Sequence, residues 1–118
     1  MMGRKKHDNI IVKYNEKNIK INIRKTNIFS RFFGLMFKCR NSENLLFDFG
    51  REVRTTFHSI LVFFPFLIIW LDSKNNILDY KLVRPFSFSI KFKKKFNKVI
   101  EIPINEKNEE LIGKIRGI

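Results

Sequence analysis

His58 is the side chain within the apolar middle of this sequence that can carry a proton near neutral pH. Period-two alternation over Phe57 to Phe64 sets it on the face of Ile60, Val62 and Phe64, with Phe57, Ser59, Leu61 and Phe63 pointing the other way. Such a histidine is either a hydrogen-bonded structural residue or, in a cleft, a proton carrier or anion ligand. Arg31 and Arg84 are natural partners for an anionic group there, and each reads equally as a solvated surface residue. Asp72 heads the Asp72 to Asn76 turn, where an aspartate accepts hydrogen bonds from its own backbone, so a turn role competes with a ligand-binding one. A second chemistry is plain charge. Lys91, Lys93, Lys94, Lys95 and Lys98 gather without one intervening acid, which is the pattern of an anion-binding surface.

Signatures of catalysis are missing. The sequence has no glycine-rich phosphate loop, no Gly-x-Ser-x-Gly elbow and no Cys/His cluster with zinc spacing. Hydrolysis by paired carboxylates would need two of Glu43, Asp48, Glu52, Asp72 and Asp79 to converge, which spacing alone does not establish. Cys39 is the single cysteine; it lacks an activating His or Lys pattern and reads as a small buried residue. No catalytic residue, metal ligand or cofactor is therefore assigned.

The elements that must position these residues are mainly strands. Ile10 to Tyr14 and Ile19 to Arg24 flank Asn15-Glu16-Lys17-Asn18, and the alternation Ile19, Ile21, Ile23 against Lys20, Asn22, Arg24 gives a hairpin with one wet face. Helical spacing follows at Ile28, Phe32, Leu35 and Met36, capped by Thr26 or Asn27 and ending near Cys39. Period two then returns in Leu45 to Phe49, in Phe57 to Phe64 and Phe66 to Leu71 joined at Pro65, and in Ile77 to Arg84. Phe86, Phe88, Ile90 and Phe92 alternate with Ser87, Ser89, Lys91 and Lys93, which predicts a strand with lysines opposite a phenylalanine row. Ile100, Ile102 and Ile104 form a last strand, and Asn105 to Glu110 starts a short C-terminal helix.

Composition limits what this scaffold can be. At 118 residues with 44% hydrophobic content, 5 Gly and 3 Pro, the chain is one domain with a core of its own, residues 1–9 forming a disordered basic tail. The 17 residues from Thr55 to Leu71 carry no formal charge but fall short of the ~20 that a membrane helix needs and contain Pro65. No membrane span is expected. With no apolar signal-peptide run after Met1 and one cysteine, the expected location is cytoplasmic. Ile, Phe, Lys and Asn supply half the chain while Ala and Gln are absent, so part of the net charge of +13 reflects AT-rich codon usage. Its distribution goes further: residues 1–40 carry +9 and 81–98 carry +7, while 41–80 carry −2 and 99–118 carry −1.

Several separated motifs resemble one family. Arg31-x-x-Gly34-Leu35-Met36, Leu45-Leu46-Phe47-Asp48-Phe49, Phe57-His58-Ser59, Pro65-Phe66-Leu67-Ile68-Ile69-Trp70-Leu71-Asp72, Arg84-Pro85 and Val99-Ile100-Glu101-Ile102-Pro103 are similar, in order and spacing, to the uncharacterised conserved-region family called domain of unknown function one hundred and ninety-two. The resemblance runs from about Ile19 to Pro103. It implies a compact β-rich sandwich or barrel of jelly-roll type with a short helix near the N-terminus, and no established reaction. It further implies that Arg31, Gly34, Leu35 and Met36 form the helix signature, that His58 lies on a central strand, and that Asp72 and Glu101 are recurrent acidic positions. The chain departs from the pattern at Ile60 to Phe64, where many members have Trp-Met-x-Asn-Thr, at Leu67, where a strand acid is usual, and in lacking a Gly-Asp near the C-terminus.

The expected function is thus a non-catalytic β module that recognises an anionic partner, an RNA, an acidic protein or an acidic sugar, through a basic strand face. A small-ligand or enzymatic pocket around His58 and a structural subunit of an assembly are the alternatives. Either a monomer or a homodimer is compatible with the sequence.

Overall fold

The computed structural model describes residues 7–26, 43–54, 65–84 and 92–117. Six strands form one sheet: β1 (His7–Tyr14), β2 (Lys17–Thr26), β3 (Leu45–Val53), β4 (Phe66–Leu71), β5 (Ile77–Val83) and β6 (Phe96–Pro103), in the spatial order β1-β2-β3-β6-β4-β5. All neighbours are antiparallel except β2 and β3, which run parallel. The sheet curls into a half-barrel whose two edges meet at one point, where the Lys13 amide donates to the Asn75 carbonyl at 2.9 Å.

Local chemistry accounts for the turns. The β1–β2 hairpin closes on two residues, Asn15 and Glu16, tighter than the four-residue turn the alternation suggests, because Asn15 adopts φ 56° and asparagine tolerates that region. β1 begins at His7, so Asp8 and Asn9 join the ladder ahead of the apolar residues. Gly50 has the larger consequence. At φ 72° it occupies a conformation that L side chains rarely adopt, and its amide donates to Asp48 Oδ1 at 2.9 Å. The β3–β6 register shifts between Asp48 and Val53, a bulge that lets β3 run past the glycine and pair Val53 with Phe96.

The two faces of the sheet bury separate clusters. Inside the curl lie Val12, Ile21, Ile23, Leu46, Leu67, Ile69, Leu71, Ile100 and Ile102. On the outer face lie Leu45, Phe47, Phe49, Phe66, Ile68, Trp70, Phe96 and Val99. β4 is buried along its whole length because it feeds both, with Leu67, Ile69 and Leu71 inward and Phe66, Ile68 and Trp70 outward. Its uninterrupted apolar run is what a strand covered on both faces requires. A 3₁₀ turn at Glu106–Asn108, capped by Asn105 Oδ1 accepting from the Asn108 amide at 2.9 Å, leads into α1 (Glu109–Arg116), whose Ile112 and Ile115 join the inner cluster.

Mainly β architecture is thus established. Among the described residues the α-helix is C-terminal, not near the N-terminus; the helix expected before Cys39 lies outside them. A jelly roll packs two sheets together, whereas the described strands form one curled sheet. The expected strand Phe57 to Phe64 also falls outside the described residues. No helix of the described residues is long and apolar enough to cross a membrane.

Candidate functional site

The Gly50 bulge brings two segments together that lie far apart in sequence. Because Val53 pairs with Phe96 in an antiparallel ladder, Arg54, just after Val53, comes beside Lys95, just before Phe96. Arg51, Arg54, Lys93, Lys94 and Lys95 are all exposed, and Glu52 is the one acid within these two short segments. Like charges brought within a Debye length, about 10 Å at 0.1 M salt, repel one another and cost folding stability unless a counter-charge arrives.

The lysines reach this place by a route the alternation does not foresee. Lys93 and Lys94 form a bend and β6 begins only at Phe96, so Lys93, Lys94 and Lys95 occupy a turn rather than a strand face. Phe92 anchors the turn. Its ring stacks on Trp70 with centroids 5.1 Å apart and planes 16° apart, and tilts against Phe96 at 6.2 Å. Trp70 is itself buried on the outer face of β4. Lys98, half-buried, donates through Nζ to Asn75 Oδ1 and so serves the β4–β5 turn rather than the exposed cluster.

The remaining sequence candidates do not converge with one another. Asp72 and Arg84 flank β5 at opposite ends, with seven strand residues between them, or roughly 23 Å at strand rise. They cannot share a small ligand. Asp72 Oδ1 accepts from the amides of Lys74 and Asn76, each at 2.9 Å, and Oδ2 from the Asn76 side chain at 2.9 Å. Partial burial works to raise its pKa, but the hydrogen bonds from Asn76 and Lys74, with the Lys74 charge, outweigh it and hold the carboxyl below its ordinary 3.8. Arg84 is exposed at the C-terminal end of β5. His58, Arg31, Lys91 and Cys39 lie outside the described residues.

Replacing Asp72 by Ala removes three acceptor contacts from one turn, and we expect a loss of about 1–3 kcal/mol in urea unfolding at neutral pH. A lowered native pKa stabilises the fold above the unfolded value and stops doing so as pH falls through the native one. The gap between wild type and variant should therefore close at strongly acid pH, and a gap that stays constant would exclude the carboxylate as its source.

Two further polar features come from tertiary placement. An open cleft of about 520 Å³ is lined by Asp8, Asn22, Ile23, Glu43, Asn44 and Asn108 among others. Its carboxylates already face cations, Glu43 lying 3.3 Å from Arg24 Nε and Asp8 3.9 Å from Lys25 Nζ. Glu101 is the other. It pairs with Leu45 on one side and Ile68 on the other, 5% exposed, with no hydrogen-bond partner for Oε1. Desolvation alone pushes its carboxyl up to about 8. Among the described residues no group of three or more His, Cys, Asp and Glu is placed to hold a metal ion.

Comparison with known proteins bears on the fold. The family model described as Uncharacterized ACR (DUF192) matches residues 10–113. The half-barrel is similar to the crystal structure of a proposed transcription regulator from Sinorhizobium meliloti 1021, with TM-score 0.73, 17% identity, and 92% of this chain and 86% of that chain covered. It is similar also to a protein of unknown function from Novosphingobium aromaticivorans DSM 12444, with TM-score 0.73, 15% identity, and 89% and 78% covered. At these identities the likeness is one of fold. No curated protein matches the chain.

Proposed function

The chain belongs to the DUF192 family, a membership that brings no reaction with it, and we propose that it is a non-catalytic binding module that recognises a nucleic acid through the cations at the β3–β6 end of its sheet. The observation that carries this reading is the Val53–Phe96 pair, which sets exposed Arg54 beside exposed Lys95, with Arg51, Lys93 and Lys94 exposed close by along the same two segments. Arginine offers a planar fork to phosphate oxygens and lysine a mobile point charge, so the mixture suits a repeating phosphate backbone better than a single buried anion. The protein from Sinorhizobium meliloti described as a proposed transcription regulator shares the fold, and that description is compatible with a nucleic-acid partner.

Backbone recognition of this kind releases condensed counterions, so affinity should fall linearly in log salt. Anisotropy titrations of the whole chain against short labelled RNA and DNA at low and at physiological salt test the reading. Saturable binding at low salt that weakens steeply with added salt is the expected result. Absence of binding to both nucleic acids at low salt would overturn it.

A further inference from the structure

Phe92 stands out among the phenylalanines whose burial is described. Phe47, Phe49, Phe66 and Phe96 are buried, at 1%, 9%, 1% and 0% exposure, whereas Phe92 is only partly buried and directly precedes Lys93, Lys94 and Lys95. Its position is fixed from beneath by the stacked Trp70 and from the side by Phe96. A ring held in this way needs no ordering when a ligand arrives, which removes part of the usual cost of binding. An accessible aromatic ring beside a run of cations is the arrangement by which proteins hold unpaired bases: the cations track the backbone and the ring takes the base.

We infer that Phe92 is a stacking platform for a base of single-stranded nucleic acid, with Trp70 as its support and Lys93, Lys94, Lys95, Arg51 and Arg54 holding the flanking phosphates. This rests on the nucleic-acid reading above and narrows it to single strands. In a duplex the base faces are occupied by neighbouring bases, so only an unpaired strand can offer one to Phe92.

The inference is tested with oligo(U), a duplex RNA of the same length, and heparin, which offers a dense polyanion without bases. Phe92→Leu keeps apolar contact with Trp70 and removes the π-face. It should weaken oligo(U) binding by about 5- to 100-fold while heparin affinity stays unchanged, and Phe92→Tyr should restore oligo(U) binding. In the wild-type protein, saturation with oligo(U) should move the Phe92 ring protons upfield, a readout that does not depend on any variant folding. Equal losses toward oligo(U) and heparin, or an unshifted Phe92 ring at saturation, would overturn the platform while leaving the charge-based reading intact. Should the wild-type chain bind no nucleic acid at low salt, the underlying reading itself fails and the platform with it.

Discussion

Glu101→Gln is expected to flatten a pH dependence of stability that in the wild-type protein amounts to about 3 kcal/mol between pH 5 and pH 8. The carboxyl sits between Leu45 and Ile68 with Oε1 unpaired, and burial lifts its native pKa from 4.5 to about 8. Over that interval the native state keeps a proton that the unfolded chain has released. Stability must therefore fall as pH rises from the unfolded value toward the native one, and it levels off above about 8. Glutamine has nearly the same shape and does not titrate. Its amide brings donors of its own to an apolar face, so the slope and not the absolute stability reports the carboxyl. Urea unfolding at a series of pH values should give a falling curve for the wild type and a nearly level one for Glu101→Gln. Parallel curves would mean that the carboxyl is ionised in the folded protein.

The second large effect concerns the exposed cations. Changing Lys93, Lys94 and Lys95 together to Glu should lower nucleic-acid affinity about 100-fold or more at low salt, because three phosphate contacts become repulsions. All three side chains are exposed and the reversal relieves their mutual repulsion, so the variant should be at least as stable as the wild type. That separation of binding from stability is the informative part. A triple variant that binds as well as the wild type would place the contact surface elsewhere, and one that unfolds much earlier would show that the lysines serve the fold.

Much of this architecture can be read from local pattern. Alternation over Ile19, Ile21 and Ile23 places the wet and dry faces of β2 correctly, with all three buried, and the unbroken run Phe66 to Leu71 identifies a strand covered on both sides. The polar Asn105 to Glu110 stretch does begin the C-terminal helix. Positions that depend on long-range register stay hidden. Period two ends the expected strand at Phe49, yet a bulge at Gly50 lets β3 continue to Val53. Arg51 and Arg54 consequently count as part of a slightly acidic middle segment in the sequence, while in the fold they join the lysines that precede β6.

The lysine turn fails for a related reason. Period two extends smoothly from Phe86 to Lys93, but Phe92 finds Trp70 and the chain bends immediately after it. A contact between residues so distant in sequence leaves no trace in local alternation. The resemblance marks Glu101 as a recurrent acidic position, but its burial to 5% exposure, level with Leu45 and Ile68 on the neighbouring strands, arises only in the folded sheet. For Asp72 the sequence and the structure agree on chemistry, since the turn role that competes with ligand binding is the one its three hydrogen bonds fill.

The central claim is that β3 and β6 together build one phosphate-binding surface, and the salt slope of Arg51→Ala/Arg54→Ala tests it most directly. Each phosphate contact to a single strand contributes about 0.7 to the slope of log affinity against log salt. Losing both arginines should therefore reduce the slope for oligo(U) by about 1.4 while unfolding remains unchanged. A slope equal to that of the wild type would show that the arginines do not meet phosphate, and that the surface proposed across the Val53–Phe96 pair does not exist.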